Sequence, residues 1–213
     1  METLSGSVLQ PLFWGDWLGS PPLEWLAFAA GLIGVYLSIR ERIAAWPPLM
    51  FSTAVYIYYC VVYGLFIQTA SLLIYFGLCG YGWVRWRASA KAATGTTQDT
   101  GPIIRPPAIN LLVMLGLWLA LTALIAMPVI YFEASAFPWL ESFALIGSLL
   151  AQWMVARKWL SAWPAWLFVN LATIMLYTAI GMFLTAILYF LFLGLAVSGW
   201  LQWLRKWRSD AVS

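Results

Sequence analysis

The chain has 213 residues, 63% of them hydrophobic and 9% charged, with a formal net charge of +3 and no histidine. A soluble domain carries about 25% charged residues, so this composition excludes one and points to a polytopic membrane protein. Histidine is missing, and the two cysteines, Cys60 and Cys79, sit apart in apolar stretches. No metal cluster, Ser/His/Asp set or phosphate-cradling glycine loop is therefore visible, and neither an enzyme nor a resident cofactor is expected.

The N-terminus has no positively charged region, so a cleaved signal peptide is not expected. Within residues 1–20, LQPLFWGDWLG (9–19) is too short to cross a bilayer, and its tryptophans predict a segment lying in the membrane interface. Charged residues are absent from Ile43 to Val84 and again from Leu160 to Leu204. Each run is about twice the ~20 residues that span a bilayer, which predicts two helices and a tight turn in each. Across the chain the pattern predicts seven spans, at 23–39, 46–63, 67–85, 109–131, 139–156, 163–180 and 183–203.

All eleven Lys and Arg fall at alternate span ends. Arg40 and Arg42 follow the first span, and Arg85, Arg87, Lys91 and Arg105 lie between the third and fourth. Arg157 and Lys158 follow the fifth, and Arg205, Lys206 and Arg208 the seventh. The positive-inside rule places these ends in the cytoplasm, the N-terminus outside and the C-terminus inside. The small, polar, proline-bearing stretch 88–108 reads as a cytoplasmic linker leading into a linking helix at 109–132.

A shift of 117 residues aligns 24–86 with 141–203 without a gap, and 16 of the 63 pairs are identical. Ala45-Trp46-Pro47 meets Ala162-Trp163-Pro164, and Gly82, Trp83 and Trp86 meet Gly199, Trp200 and Trp203. Two three-helix repeats, 21–87 and 138–204, are therefore expected. A three-span unit ends on the side opposite its start, so the unpartnered fourth span leaves the two repeats parallel. Parallel repeats about an axis along the membrane normal belong to transporters that hold their substrate near the midplane between the repeats.

Helical spacing puts Trp163, Trp166, Asn170, Thr173 and Tyr177 on one stripe of the sixth span. The matching faces carry Thr53 and Tyr56 in the second span, Gln68, Tyr75 and Cys79 in the third, Gln152 in the fifth, and Thr185, Tyr189 and Phe192 in the seventh. Lipid offers no hydrogen bonds, so these polar atoms must turn inward. Such groups also hydrogen-bond between helices merely to hold them together. Recurring aromatic planes with a few placed amides nonetheless suit a small ring-bearing solute. No Lys or Asp lies within a span, Arg85 only closes the third, and Glu24 and Glu141 sit at outer ends, which favours a facilitator over an ion-coupled pump.

SPPLEWLAFAAGLIGVYLSIRERIAAWP, YGWVRW and the segment from Ala151 to Trp203 resemble the PnuC family of bacterial vitamin transporters. The resemblance covers about residues 20–86 and 138–204. It implies an all-α integral membrane fold of seven transmembrane helices in a 3+1+3 parallel-repeat arrangement, related to the SWEET facilitators, in a bacterial inner membrane. It also implies facilitated diffusion of nicotinamide riboside, or in relatives thiamine or riboflavin, trapped after entry by phosphorylation. The family's WxxWxxVN motif falls on Trp163, Trp166 and Asn170, its LY on Leu176 and Tyr177, and its TAxLY on Thr185 and Tyr189. The chain departs from the pattern at Gln68, Leu72, Ser161 and Ala162, which leaves the vitamin open between nicotinamide riboside and thiamine. The substrate-binding set expected is Trp163, Trp166, Asn170, Tyr177, Thr185, Tyr189, Gln68, Tyr75, Thr53, Tyr56 and Gln152. Vitamin and lipid are the expected partners, nucleic acid is not, and a homo-oligomer is left open. The competing function is a non-transporting membrane subunit that binds a vitamin or a partner protein.

Overall fold

The computed structural model describes residues 22–93 and 101–210. The interfacial segment expected at 9–19 and the linker stretch 94–100 lie outside the described residues. Seven α-helices account for most of the rest: α1 (Pro22–Ile39), α2 (Trp46–Val62), α3 (Phe66–Ala93), α4 (Ala108–Tyr131), α5 (Pro138–Ala156), α6 (Ala162–Ala179) and α7 (Phe183–Asp210). A short 3₁₀ turn, Ile43–Ala45, leads into α2. Each helix starts within one residue of a predicted span.

The helices begin and end for identifiable reasons. Prolines stand in the first turns of α2 and α5, where no N–H is needed for the helix ladder. Five turns close the preceding helix with the paired bonds of a Schellman motif. After α2, Leu65 N–H bonds Cys60 O (2.8 Å) and Gly64 N–H bonds Val61 O (3.1 Å), with Gly64 at φ 70°. The same closure recurs after α6 at Gly181, φ 81°. After α1, α4 and α5 the left-handed position is held by Glu41 (φ 54°), Glu133 (φ 49°) and Lys158 (φ 56°) instead of glycine.

Among the described residues, six helical segments are long and apolar enough to cross a membrane: Pro22–Ile39, Ile43–Val62, Ala108–Tyr131, Pro138–Ala156, Ala162–Ala179 and Thr185–Asp210. The remaining helix, α3, has 28 residues and carries Gln68, Thr69 and Ser71 near its start. α3 and α7 run past the expected ends at 85 and 203, to Ala93 and Asp210. The linker expected from residue 88 therefore begins as helix. Its last residues, 101–107, lie against the end of α5: Ile104 N–H bonds Lys158 O, and Leu160 N–H bonds Ile104 O, both at 2.9 Å.

Packing repeats in the two halves. α1 packs on α2 and α2 on α3, as α5 packs on α6 and α6 on α7. The halves then exchange contacts, α3 against α5 and α7 against α1, while α4 packs on α5. Trp86 donates its indole N–H to Ala156 O (3.2 Å), and Trp203, its counterpart in the repeat, donates to Ile39 O (3.1 Å). The two acceptors, Ile39 and Ala156, are themselves 117 residues apart.

Candidate functional site

The polar stripe of α6 divides by depth. Trp163, in the first turn, is 2% exposed, and its ring lies over Gly199 of α7 and edge-on to Trp203 at 5.3 Å. Trp46 repeats this arrangement over Gly82 and edge-on to Trp86 at 5.1 Å. Trp86 and Trp203 meet at 6.5 Å, so four indoles plug the end of the bundle that carries the arginines and lysines. The indole nitrogens of Trp46 and Trp163 have no hydrogen-bond partner among the described residues. Trp166, one turn further, is half-buried against the core.

Asn170, at mid-helix, is 3% exposed and makes no side-chain hydrogen bond among the described residues. Thr173 closes its hydroxyl on Val169 O (2.8 Å) and offers a helix neighbour no donor. Nearer the far end of α6, Tyr177 stacks on Tyr189 of α7 (5.5 Å, 26° between planes), and Phe192 leans on Tyr189 at 5.9 Å. Thr185 is half-buried about one turn before Tyr189. Tyr56 of α2 and Tyr75 of α3 lie within electrostatic reach of Tyr189. Tyrosines from α2, α3, α6 and α7 thus converge on one region.

A second contact joins the halves. Tyr75 donates its hydroxyl to Gln152 Oε1 (3.1 Å), and Gln152 Nε2 donates to Cys79 Sγ (3.4 Å). Gln152 is 3% exposed, so this network satisfies an amide that would be costly to bury alone. Thr53, also buried, bonds Leu49 O at 2.8 Å. Gln68 stands apart from the group, exposed at the start of α3. At the end opposite the indoles, Glu24 lies within reach of Tyr56, and Glu141 within reach of Tyr177. Glu141 also accepts a 2.7 Å bond from Ser135 Oγ.

Of the residues expected at the site, the structure gathers Tyr56, Tyr75, Gln152, Tyr177 and Tyr189. It leaves Asn170 without a side-chain partner among the described residues, on the same face of α6 as Tyr177, and places Trp163 in the indole plug. Sequence reasoning put Cys79 and Phe192 on inward faces without assigning them to the site. An ion pair between Glu41 and Lys158 was not anticipated at all, although the two positions are 117 residues apart and hence equivalent in the repeat. Among the described residues no group of three His, Cys, Asp or Glu side chains could hold a metal ion.

A family described as nicotinamide mononucleotide transporter matches residues 21–205, nearly the whole chain. The chain belongs to that family. The resemblance to PnuC proteins read from the motifs is thereby borne out. The riboflavin/roseoflavin transporter RibM of Streptomyces davaonensis is 26% identical to this transporter over 211 residues, covering 95% of this chain and 90% of RibM. The crystal structure of the vitamin B3 transporter PnuC superposes with a TM-score of 0.67 at 20% identity, covering 88% of this chain and 82% of that one. This second likeness is one of fold. The converging tyrosines and the buried Asn170 thus sit inside a multi-helix membrane transporter.

Proposed function

We propose that the protein mediates facilitated diffusion of a ring-bearing vitamin, nicotinamide riboside foremost, across the bacterial inner membrane. The observation that carries this is the pairing, on one face of α6, of a buried amide at Asn170 that has no partner among the described residues with the stacked ring face of Tyr177 and Tyr189. Flat walls hold a planar ring, and a single amide orients it. Nicotinamide riboside and thiamine are both cations, which aromatic faces attract by roughly 1–2 kcal/mol per desolvated contact. Glu24 and Glu141 at the outer mouth favour the same charge.

The architecture that suits this function is a 3+1+3 arrangement of seven spans, SWEET-like, with the solute between parallel repeats. The duplicated helix contacts and the reciprocal Trp86 and Trp203 bonds support it. The alternation of basic and non-basic helix ends supports an external N-terminus and a cytoplasmic C-terminus. A cysteine replacing Ser135 should then react with an impermeant reagent in intact cells, and one replacing Ser209 only after permeabilisation. The opposite pattern would reverse the topology.

Riboflavin is the second reading, favoured by the full-length match to RibM. Side-by-side binding titrations with nicotinamide riboside, thiamine and riboflavin decide among the three. Uptake into liposomes containing no other protein separates a carrier from a subunit that only binds. Absence of uptake with binding intact would select the second.

A further inference from the structure

We propose that the ion pair between Glu41 and Lys158 is a latch that holds the basic end of the bundle shut, and that it parts each time a solute leaves there. The inference rests on the transport reading but not on which vitamin is carried. Glu41 and Lys158 occupy the same position in the two repeats, at the turn after the first helix of each. One repeat supplies the carboxylate and the other the ammonium, so equivalent sites meet with complementary charge at 2.5 Å. Their side chains are at most 10% exposed, although both lie at helix ends where the sequence turns polar.

Both residues also hold a backbone conformation that favours glycine, at φ 54° and 56°. The corresponding turns after α2 and α6 use Gly64 and Gly181 there. Unlike glycine, Glu41 and Lys158 bring a charged side chain to these turns. The pair has further anchors. Glu41 Oε1 also meets Lys206 of α7 at 2.9 Å. Lys158 Nζ donates to Gly101 O at 2.7 Å and lies 5.2 Å from the centre of the Trp86 ring. The latch therefore ties both repeats, the α7 extension and the end of the linker into one knot.

The bonds of Trp86 and Trp203 cross between repeats at this same end, beside the indole plug. At the other end the repeats approach through tyrosines, with Tyr56 and Tyr189 within electrostatic reach of each other. A solute among the tyrosines thus faces its most strongly tied barrier toward the basic end. Opening there separates the halves that carry Glu41 and Lys158. An interaction made in only one of two states biases the equilibrium by its whole differential strength.

Cys79 provides a built-in reporter, because it is fully buried and sits two turns of α3 before Trp86. In a Cys60→Ser background reconstituted in vesicles of known orientation, Cys79 is modified with an impermeant methanethiosulfonate added to one face at a time. Glu41→Gln should speed modification from the basic face by about tenfold or more, with no gain from the other face. Lys206→Gln, at a half-exposed side chain, should give a smaller gain in the same direction. Equal acceleration from both faces would mean general loosening and overturn the latch. So would unchanged labelling in folded Glu41→Gln protein. Should Glu41→Gln fail to fold, Lys206→Gln decides alone, and no change from the basic face overturns the proposal. No vitamin is used in the assay, so its failure leaves the proposed substrate to be judged by the titrations.

Discussion

Thr53 and Asn170 occupy the same place in the two repeats, and they dispose of their polar atoms in opposite ways. Both are buried, but Thr53 closes its hydroxyl on Leu49 O, whereas Asn170 makes no side-chain bond among the described residues. An amide left unpaired in a membrane interior costs free energy unless a ligand satisfies it. Asn170→Ala should therefore weaken vitamin binding by about 1–3 kcal/mol, measured by titration, while the melting temperature holds or rises. Normal binding with a lowered melting temperature would instead make Asn170 a helix-packing residue. Thr53→Val should leave helix stability nearly unchanged, because its hydroxyl bonds only within its own helix.

The stacked pair of Tyr177 and Tyr189 gives a second expectation. If the ring faces hold the vitamin, Tyr189→Phe should retain most of the affinity and Tyr189→Leu should lose it. A loss of about 1–2 kcal/mol is the scale of one desolvated aromatic contact with a cation. Equal losses in the two variants would shift the role from the ring to the hydroxyl.

Much of this arrangement was legible in the sequence because a bilayer imposes simple rules. The charge-free runs 43–84 and 160–204, each long enough for two spans, yielded α2, α3, α6 and α7. The ends of α3 and α7 were missed for a physical reason. Hydropathy marks where a segment leaves the membrane, while VRWRASAKAA and LRKWRSD continue as good helix formers in water. Inward faces followed from helical spacing, but spacing could not rank residues along the axis. Trp163 and Tyr177 share a stripe, yet one is packed into the indole plug and the other joins the tyrosine cluster. Glu41 and Lys158 carried an unused signal: opposite charges at matched repeat positions, visible once the two halves are superposed on paper.

Close approach of indoles to glycine yields a stability test. A Cβ at Gly199 would come within 2.6 Å of the Trp163 ring, and one at Gly82 would collide with Trp46. Gly194, on the same helix as Gly199, has open space beside it. Gly199→Ala should thus cost about 1–3 kcal/mol by overpacking, read as a lower melting temperature in detergent. Gly194→Ala should be neutral or slightly stabilising, since alanine is the better helix former by about 1 kcal/mol. Equal melting temperatures for the two variants would mean that the indole plug yields easily.

The last expectation concerns driving force. The charge-free runs 43–84 and 160–204 provide four spans with no residue to bind a coupling ion, and Glu24 and Glu141 lie in the first turns of α1 and α5. A uniporter for a cation responds only to the solute gradient and the membrane potential. That potential is worth about 2.3 kcal/mol per charge at 100 mV, roughly fifty-fold accumulation. In proteoliposomes without phosphorylating enzymes, an inside-negative potassium diffusion potential should speed uptake of nicotinamide riboside or thiamine. It should leave uptake of riboflavin, which is neutral, unchanged, so the same assay bears on the choice of vitamin. A proton or sodium gradient, with the potential clamped at zero, should drive no accumulation. Concentrative uptake under that clamp would reveal ion coupling. Glu24→Gln and Glu141→Gln would then be the first variants to make, because these are the carboxylates within reach of the tyrosine cluster.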